Sequence, residues 1–125
     1  MRYAQICRDT HGATAVEFAL TAPIFFAIVF GIAEGGLLLW TQAGLQHGVE
    51  AAARCASVNT TLCGSTSATQ SYAAQNSFGL NPSPSSFTVS TPACGTQVSA
   101  NYTFAFANYF PTPSLALTAR ACFPK

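Results

Sequence analysis

Residues 18–40 read FALTAPIFFAIVFGIAEGGLLLW, and this stretch decides how the chain is organised. Only Thr21, Pro23 and Glu34 interrupt its apolar residues and glycines. An α-helix rises about 1.5 Å per residue, so about 20 residues cross the ~30 Å hydrocarbon core of a bilayer. A helix buried in a globular core is the alternative, but the rest of the chain is too short to enclose one on all sides. We therefore predict a membrane-spanning helix, with Trp40 placed like an aromatic anchor at its outer interface.

The charged residues that flank this stretch predict its orientation. Arg2 and Arg8 precede it, whereas the nearest cation beyond it is Arg54. Segments rich in Lys and Arg stay in the cytoplasm, so we expect the N-terminus inside and the rest of the chain exported. A cleaved secretory signal is the alternative, but its apolar core would span only about 7–15 residues. The longer stretch favours a permanent anchor.

The composition excludes several classes of function. Of the 125 residues, 50% are apolar and 7% are charged, and the net charge is +1. No Asp, Glu, Lys, Arg or His occurs between Arg54 and Arg120. Acid–base catalysis needs titratable groups close together, and nucleic-acid binding needs a basic surface. We therefore expect no enzyme activity, no cofactor and no nucleic-acid partner, and instead contacts with lipid and with other proteins.

Beyond Trp40 the sequence keeps helix-forming residues without proline, which predicts that the helix continues to about Ala56. It should end before the polar cluster that starts at Asn59. Residues 65–79 predict a loop and a short polar helix, with Gly79 as its C-terminal stop. Residues 81–86, NPSPSS, predict a linker that is not helical.

Three stretches near the C-terminus alternate apolar and polar residues, which is the pattern of half-buried strands. They cover residues 87–90, 98–106 and 115–123, and residues 110–113 (FPTP) separate the last two. A three-stranded sheet packed on the exported helix is the smallest arrangement that buries their apolar faces. The predicted fold is α+β: a long N-terminal transmembrane helix that extends into a small exported head with a short helix and a three-stranded antiparallel sheet.

The cysteines divide between the two sides of the membrane. Cys7 precedes the helix, whereas Cys55, Cys63, Cys94 and Cys122 lie in the exported part, where oxidation is possible. Four cysteines allow three pairings, of which we favour Cys55–Cys63, closing the loop after the helix, and Cys94–Cys122, fixing the last strand. Zinc binding by these cysteines is the alternative, but there is no CxxC spacing and no accompanying histidine, so we expect no metal.

Glu17 lies just inside the apolar segment. A charged side chain in a membrane costs up to about 3 kcal/mol at the centre and less near an interface, so it usually has a reason. The carboxylate could reach the cytoplasmic interface, become protonated or serve a function. The residues alone leave these three open.

Small residues recur along the helix at four-residue steps, with Pro23 on the vacant position. Small side chains let membrane helices approach closely, although alanine and glycine are common in any such helix. We predict a helix-contact row formed by Ala15, Ala19, Ala27, Gly31 and Gly35.

Together these residues resemble a known family. The start of the helix resembles the processing site of type IV pilin-like precursors. Gly12 is followed by a small residue, Glu17 is the fifth residue beyond Gly12, and Phe18 comes next. The run GATAVEFALTAP…FGIAEGG…A…AAARCA is similar to TadE-like pseudopilins of the tight-adherence (Flp) pilus. The resemblance extends over residues 8–58, with a weaker one in the strand-rich end.

The resemblance implies a function. A prepilin peptidase would cut after Gly12, and Ala13 would become the N-terminus, methylated or not. Glu17 would pair with the Ala13 amine of a neighbouring subunit. The chain would then comprise a leader (1–12), a transmembrane and extended helix (13–57) and a disulfide-stabilised α+β head (58–125).

The resemblance also implies location and partners. We expect a single-pass inner-membrane protein with a cytoplasmic N-terminus and a periplasmic head, which assists assembly or initiation of the pilus. Its partners would be the peptidase, other pilins or pseudopilins, the inner-membrane assembly platform and the bilayer. Whether it enters the filament is open. The alternative function is an unprocessed, membrane-anchored periplasmic binding module.

Overall fold

The computed structural model describes residues 11–106 and 113–124. Most of the leader, including Cys7, and residues 110–112 of the predicted separator lie outside the described residues. The chain divides into two compact units, an N-terminal unit that ends at Gly35 and a C-terminal unit that begins at Gly36.

The N-terminal unit consists, in its described part, of the first half of a long helix. This helix, α1, covers His11–Val58 and continues through Pro23. Its large apolar side chains up to residue 35 are exposed, as Phe18 (69%) and Ile32 (71%) illustrate. Apolar surface on all sides of a helix is typical of a membrane span. Among the described residues, α1 is the helix long and apolar enough to cross a membrane, which is consistent with a single-pass anchor.

The C-terminal unit combines the second half of α1 with two short helices and a sheet. In the described part of the unit, the helices are α2 (Thr60–Cys63) and α3 (Thr66–Gln75), followed by a 3₁₀ turn at Pro84–Ser86. Three strands complete it: β1 (Phe87–Ser90), β2 (Thr96–Ala105) and β3 (Ser114–Phe123). They form an antiparallel sheet in the order β1-β2-β3.

The core of this unit lies between α1, α3 and one face of the sheet. Alternate residues of each strand point to this face, as the period-2 pattern predicts. Phe87, Val98, Leu45 and Val49 are its largest fully buried apolar side chains. The buried cluster also includes Ala52, Ala53, Ala73, Ala74, Ala100, Leu117 and Ala119.

Side chains of α1 hold the outer edge of β3. Gln42 Nε2 donates to the carbonyl of Thr118 at 3.0 Å, and Ser57 Oγ donates to that of Phe123 at 3.4 Å. The two contacts show that β3 runs in the same direction as α1. They also occupy carbonyls that an open edge strand would offer to another chain.

Two disulfides fix the ends of elements within the C-terminal unit. Cys55 in α1 is bonded to Cys63 at the end of α2, and Cys94 before β2 is bonded to Cys122 near the end of β3. These are the two pairs that the sequence analysis favours.

The structure confirms the predicted α+β fold, including the long helix and the three antiparallel strands. It corrects one detail, because residues 84–86 of the linker predicted to be non-helical form a 3₁₀ turn. Pro84 starts this turn, and proline is tolerated there because the first N–H groups of a helix have no internal partner. It also adds α2, which Asn59 caps by accepting from the Leu62 N–H at 3.0 Å.

Candidate functional site

The expected cleavage site lies at the start of α1. Gly12 and Ala13 lie in α1, at the N-terminal end of its described residues. A protease that needs an extended substrate would therefore have to unwind the helix around this bond.

Ala13 and Glu17 lie one turn apart on the same side of α1. Side chains four residues apart in a helix are neighbours, with about 5–6 Å between their Cβ atoms. Both residues are exposed. Thr21 Oγ1 donates to the backbone carbonyl of Glu17 at 2.9 Å, which satisfies its hydroxyl within the apolar segment. Glu17 thus has its carboxylate on a surface open to another chain, close to residue 13.

The row of small residues winds around the helix. Each four-residue step turns about 40° and rises about 6 Å. From Ala15 to Gly35 the row therefore turns by about 200°, and its two ends face different sides. A Cβ added to Gly31 or Gly35 would meet no described atom within 4 Å. Nothing in the described chain explains why these two positions lack a side chain.

Gly44 and Gly48 continue the same spacing but have an internal role. A Cβ on Gly44 would lie 2.8 Å from Leu80 Cδ1, and one on Gly48 would lie 2.8 Å from the Ala73 carbonyl oxygen. These glycines let the segment from α3 to Leu80 approach α1. Their spacing continues the contact row in the sequence, but the structure places both glycines inside the C-terminal unit.

On the surface of the C-terminal unit, the structure places Trp40, the expected interfacial anchor, beside Phe78, which sequence reasoning missed. The rings of Trp40 and Phe78 lie 6.1 Å apart, and the Phe78 ring stacks on His47 at 4.4 Å. His47 Nδ1 lies 2.9 Å from the Asn76 carbonyl, to which its N–H donates in the matching tautomer. The signal is a phenylalanine next to Gly79, which the sequence predicts as the stop of the short helix. That prediction is wrong, because α3 ends at Gln75 and Gly79 lies in the turn that follows.

An open groove of about 540 Å³ lies farther along α1. His47, Glu50, Arg54, Tyr72 and Phe123 contribute to its walls. The described residues contain no group of three or more His, Cys, Asp or Glu side chains that could hold a metal.

A comparison with protein families identifies the N-terminal segment. Residues 12–54 match the model of the TadE-like protein family.

This segment is TadE-like. The match confirms the resemblance drawn from the sequence and begins at the glycine of the expected cleavage site. It supports an association with a Tad pilus and with its assembly components, and a structural rather than catalytic role. No curated protein and no solved structure matches the chain.

Proposed function

We propose that the chain is a minor pseudopilin of a tight-adherence (Flp) pilus, made as a precursor and cut by a prepilin peptidase after Gly12. The observation that carries the proposal is the position of Gly12 and Glu17 at the start of the TadE-like segment, where the apolar helix begins. The protein would assist assembly or initiation of the pilus at the inner membrane, with its C-terminal unit in the periplasm.

Hydrolysis of the Gly12–Ala13 bond creates a positive amine on the first residue of the mature helix. A positive charge at a helix N-terminus is unfavourable because the N-terminal end of the helix dipole is also positive. At the border of the hydrocarbon the amine also loses hydration. The Glu17 carboxylate, one turn away, offsets both effects, within one subunit or across two.

Pairing across two subunits sets their register. When the Ala13 amine of one helix meets Glu17 of its neighbour, both charges leave water together instead of singly. A helix shifted along its neighbour would leave a charge unpaired in lipid, so a wrong register is costly. Glu17 thus specifies the axial position at which a subunit joins the assembly.

The small residues support the same packing. Because the row winds around α1, its cytoplasmic end at Ala15 and its outer end at Gly35 would contact different neighbours. The absence of any described atom near a Cβ at Gly31 or Gly35 leaves both open to another helix. Such contacts are expected with other pilins or pseudopilins and with the assembly platform.

The test is to replace Glu17→Gln, which removes the charge with little change in shape. Glu50→Gln, in the C-terminal unit, is the matched control. In cells with the complete pilus system, both variants should be cleaved to the mature mass, and only Glu17→Gln should lose surface pili. Normal pili with Glu17→Gln would contradict the pairing, whereas an uncut wild-type chain would contradict the processing.

A further inference from the structure

Exposed large apolar side chains concentrate at one end of the C-terminal unit. Leu37, Leu39 and Trp40 are exposed on α1, and Phe78 lies beside Trp40. Trp40 is 59% exposed and Phe78 is 51% exposed. The buried part of α1 begins at the same place, with Leu38 partly buried against the core and Thr41 buried. This end of the unit therefore presents an aromatic patch, Trp40 and Phe78, where the apolar stretch of α1 stops.

The turn that carries Phe78 is unusual for this residue. The Leu80 N–H donates to the Ser77 carbonyl at 3.1 Å, and the two central residues, Phe78 and Gly79, have φ of +48° and +77°. Two positive φ values define a type I′ turn, which favours Asn-Gly because bulky side chains are strained there. Local backbone preference thus does not explain a phenylalanine at this position.

Contacts within the C-terminal unit cover only part of the Phe78 ring. Phe78 stacks on His47 and approaches Trp40, but half of its surface stays exposed. A strained turn that holds a large apolar side chain outward indicates a contact outside the unit.

The patch itself carries no formal charge. The sequence has no Asp, Glu, Lys or Arg from residue 35 to residue 49, nor from residue 55 to residue 119. The nearest charges on α1 are Glu34, six residues before Trp40, and Glu50, ten residues beyond it, which are about 9 Å and 15 Å away along the helix. The two rings could therefore enter a partly dehydrated environment without taking an ion of the patch itself out of water.

We propose that Trp40 and Phe78 together insert into the periplasmic surface of the inner membrane, at the depth of the lipid headgroups. They would thereby hold the C-terminal unit against the membrane. Aromatic rings prefer this region, and Trp40 is the last residue of the apolar stretch 18–40. The inference rests on the membrane anchorage proposed above and not on cleavage or pilus assembly.

The test uses the fact that the chain has a single tryptophan. In the full-length chain, Trp40→Phe is combined with Phe78→Trp to place the one tryptophan in the turn. Trp40→Phe with Val58→Trp is the control at the far end of the unit, because Val58 is 79% exposed. Trp40→Phe with Phe26→Trp is the control for depth within the apolar stretch.

Each variant is reconstituted in phosphatidylethanolamine–phosphatidylglycerol vesicles. Quenching is measured with iodide in the water and with nitroxides attached to lipid headgroups or deep in the acyl chains. Tryptophan at 78 should be quenched several-fold more by headgroup nitroxides than tryptophan at 58, and several-fold less by iodide. Tryptophan at 26 should respond to the deep nitroxides.

Three results would overturn the inference. Iodide quenching at 78 equal to that at 58 would show that the turn faces water. Protection from iodide without nitroxide quenching would show a protein contact instead of a lipid contact. In both cases, quenching of tryptophan at 26 by deep nitroxides would still support the membrane anchorage. If tryptophan at 26 is not quenched by deep nitroxides, the anchorage is refuted, and this inference with it.

Discussion

Gly48 of α1 lies so close to α3 that a Cβ on it would stand 2.8 Å from the carbonyl oxygen of Ala73. The obstructing atom belongs to the backbone, so it cannot rotate away as the end of a flexible side chain would. The contact between the two helices therefore depends on the absence of a side chain at position 48.

The first prediction concerns this contact. Gly48→Ala should lower the free energy of unfolding of the C-terminal unit by about 1–3 kcal/mol, because α3 must move away from α1. Gly36→Ala is the matched control, since a Cβ there meets no described atom within 4 Å. The control should be neutral or up to about 1 kcal/mol more stable, because alanine favours a helix. Denaturant unfolding in detergent measures both, and equal stability would contradict the contact.

The role of Gly48 shows what the sequence could and could not predict. The spacing of Gly44 and Gly48 indicates a close helix contact, but it does not say whether the neighbour belongs to the same chain. That depends on where α3 lies, which only the tertiary structure specifies. The long helix and the strands were predictable because their periodic patterns follow from local geometry and burial.

The aromatic patch was not predictable for a related reason. Trp40 and Phe78 are far apart in the sequence, and the turn around Phe78 lacks the Asn-Gly signal of its type. By contrast, Gly12 and Glu17 are close in sequence and lie on one helix, so their relation follows from helical spacing alone. Their function depends on a protease and on neighbouring subunits, which helical spacing does not describe.

The second prediction concerns the turn itself. Phe78→Asn removes the stacking on His47, which is worth about 0.5–1.5 kcal/mol, but relieves strain of about 1–2 kcal/mol in the left-handed region. The two effects offset each other, so the free energy of unfolding should change by less than about 1 kcal/mol.

The neighbouring glycine provides the contrast. Gly79→Ala introduces a side chain at φ +77° with no compensating contact, and it should cost about 1–2 kcal/mol. Both variants are compared by denaturant unfolding in detergent. A large loss of stability in Phe78→Asn would mean that the ring serves the internal packing of the unit.

The third prediction concerns the disulfides. Cys94 and Cys122 are separated by 28 residues and Cys55 and Cys63 by 8. A longer closed loop restricts the unfolded chain more. Replacing Cys94 and Cys122 by alanine should therefore lower the free energy of unfolding by about 3.5 kcal/mol. Replacing Cys55 and Cys63 should lower it by about 2.5 kcal/mol. Thermal unfolding without reductant ranks the two variants. The reverse order would show that local packing outweighs chain entropy.

The fourth prediction concerns the contact row. Gly31→Leu places a large side chain where another helix is proposed to pack, and overpacking costs about 1–3 kcal/mol per contact. Surface pili, counted by electron microscopy, should fall by about tenfold or more, since each 1.4 kcal/mol is about a factor of ten. Gly36→Leu is the control, because residue 36 is off the row and its Cβ also meets open space. An equal effect of the two variants would contradict a specific contact row.

The processing of the chain is the central claim, and the mass and N-terminal sequence of the protein isolated from membranes of pilus-forming cells test it most directly. The account predicts a mature chain that begins at Ala13 and lacks residues 1–12, with the precursor accumulating when the prepilin peptidase is deleted. A membrane protein that retains Met1 in cells with an active peptidase would contradict it, and would favour a permanently anchored, unprocessed protein.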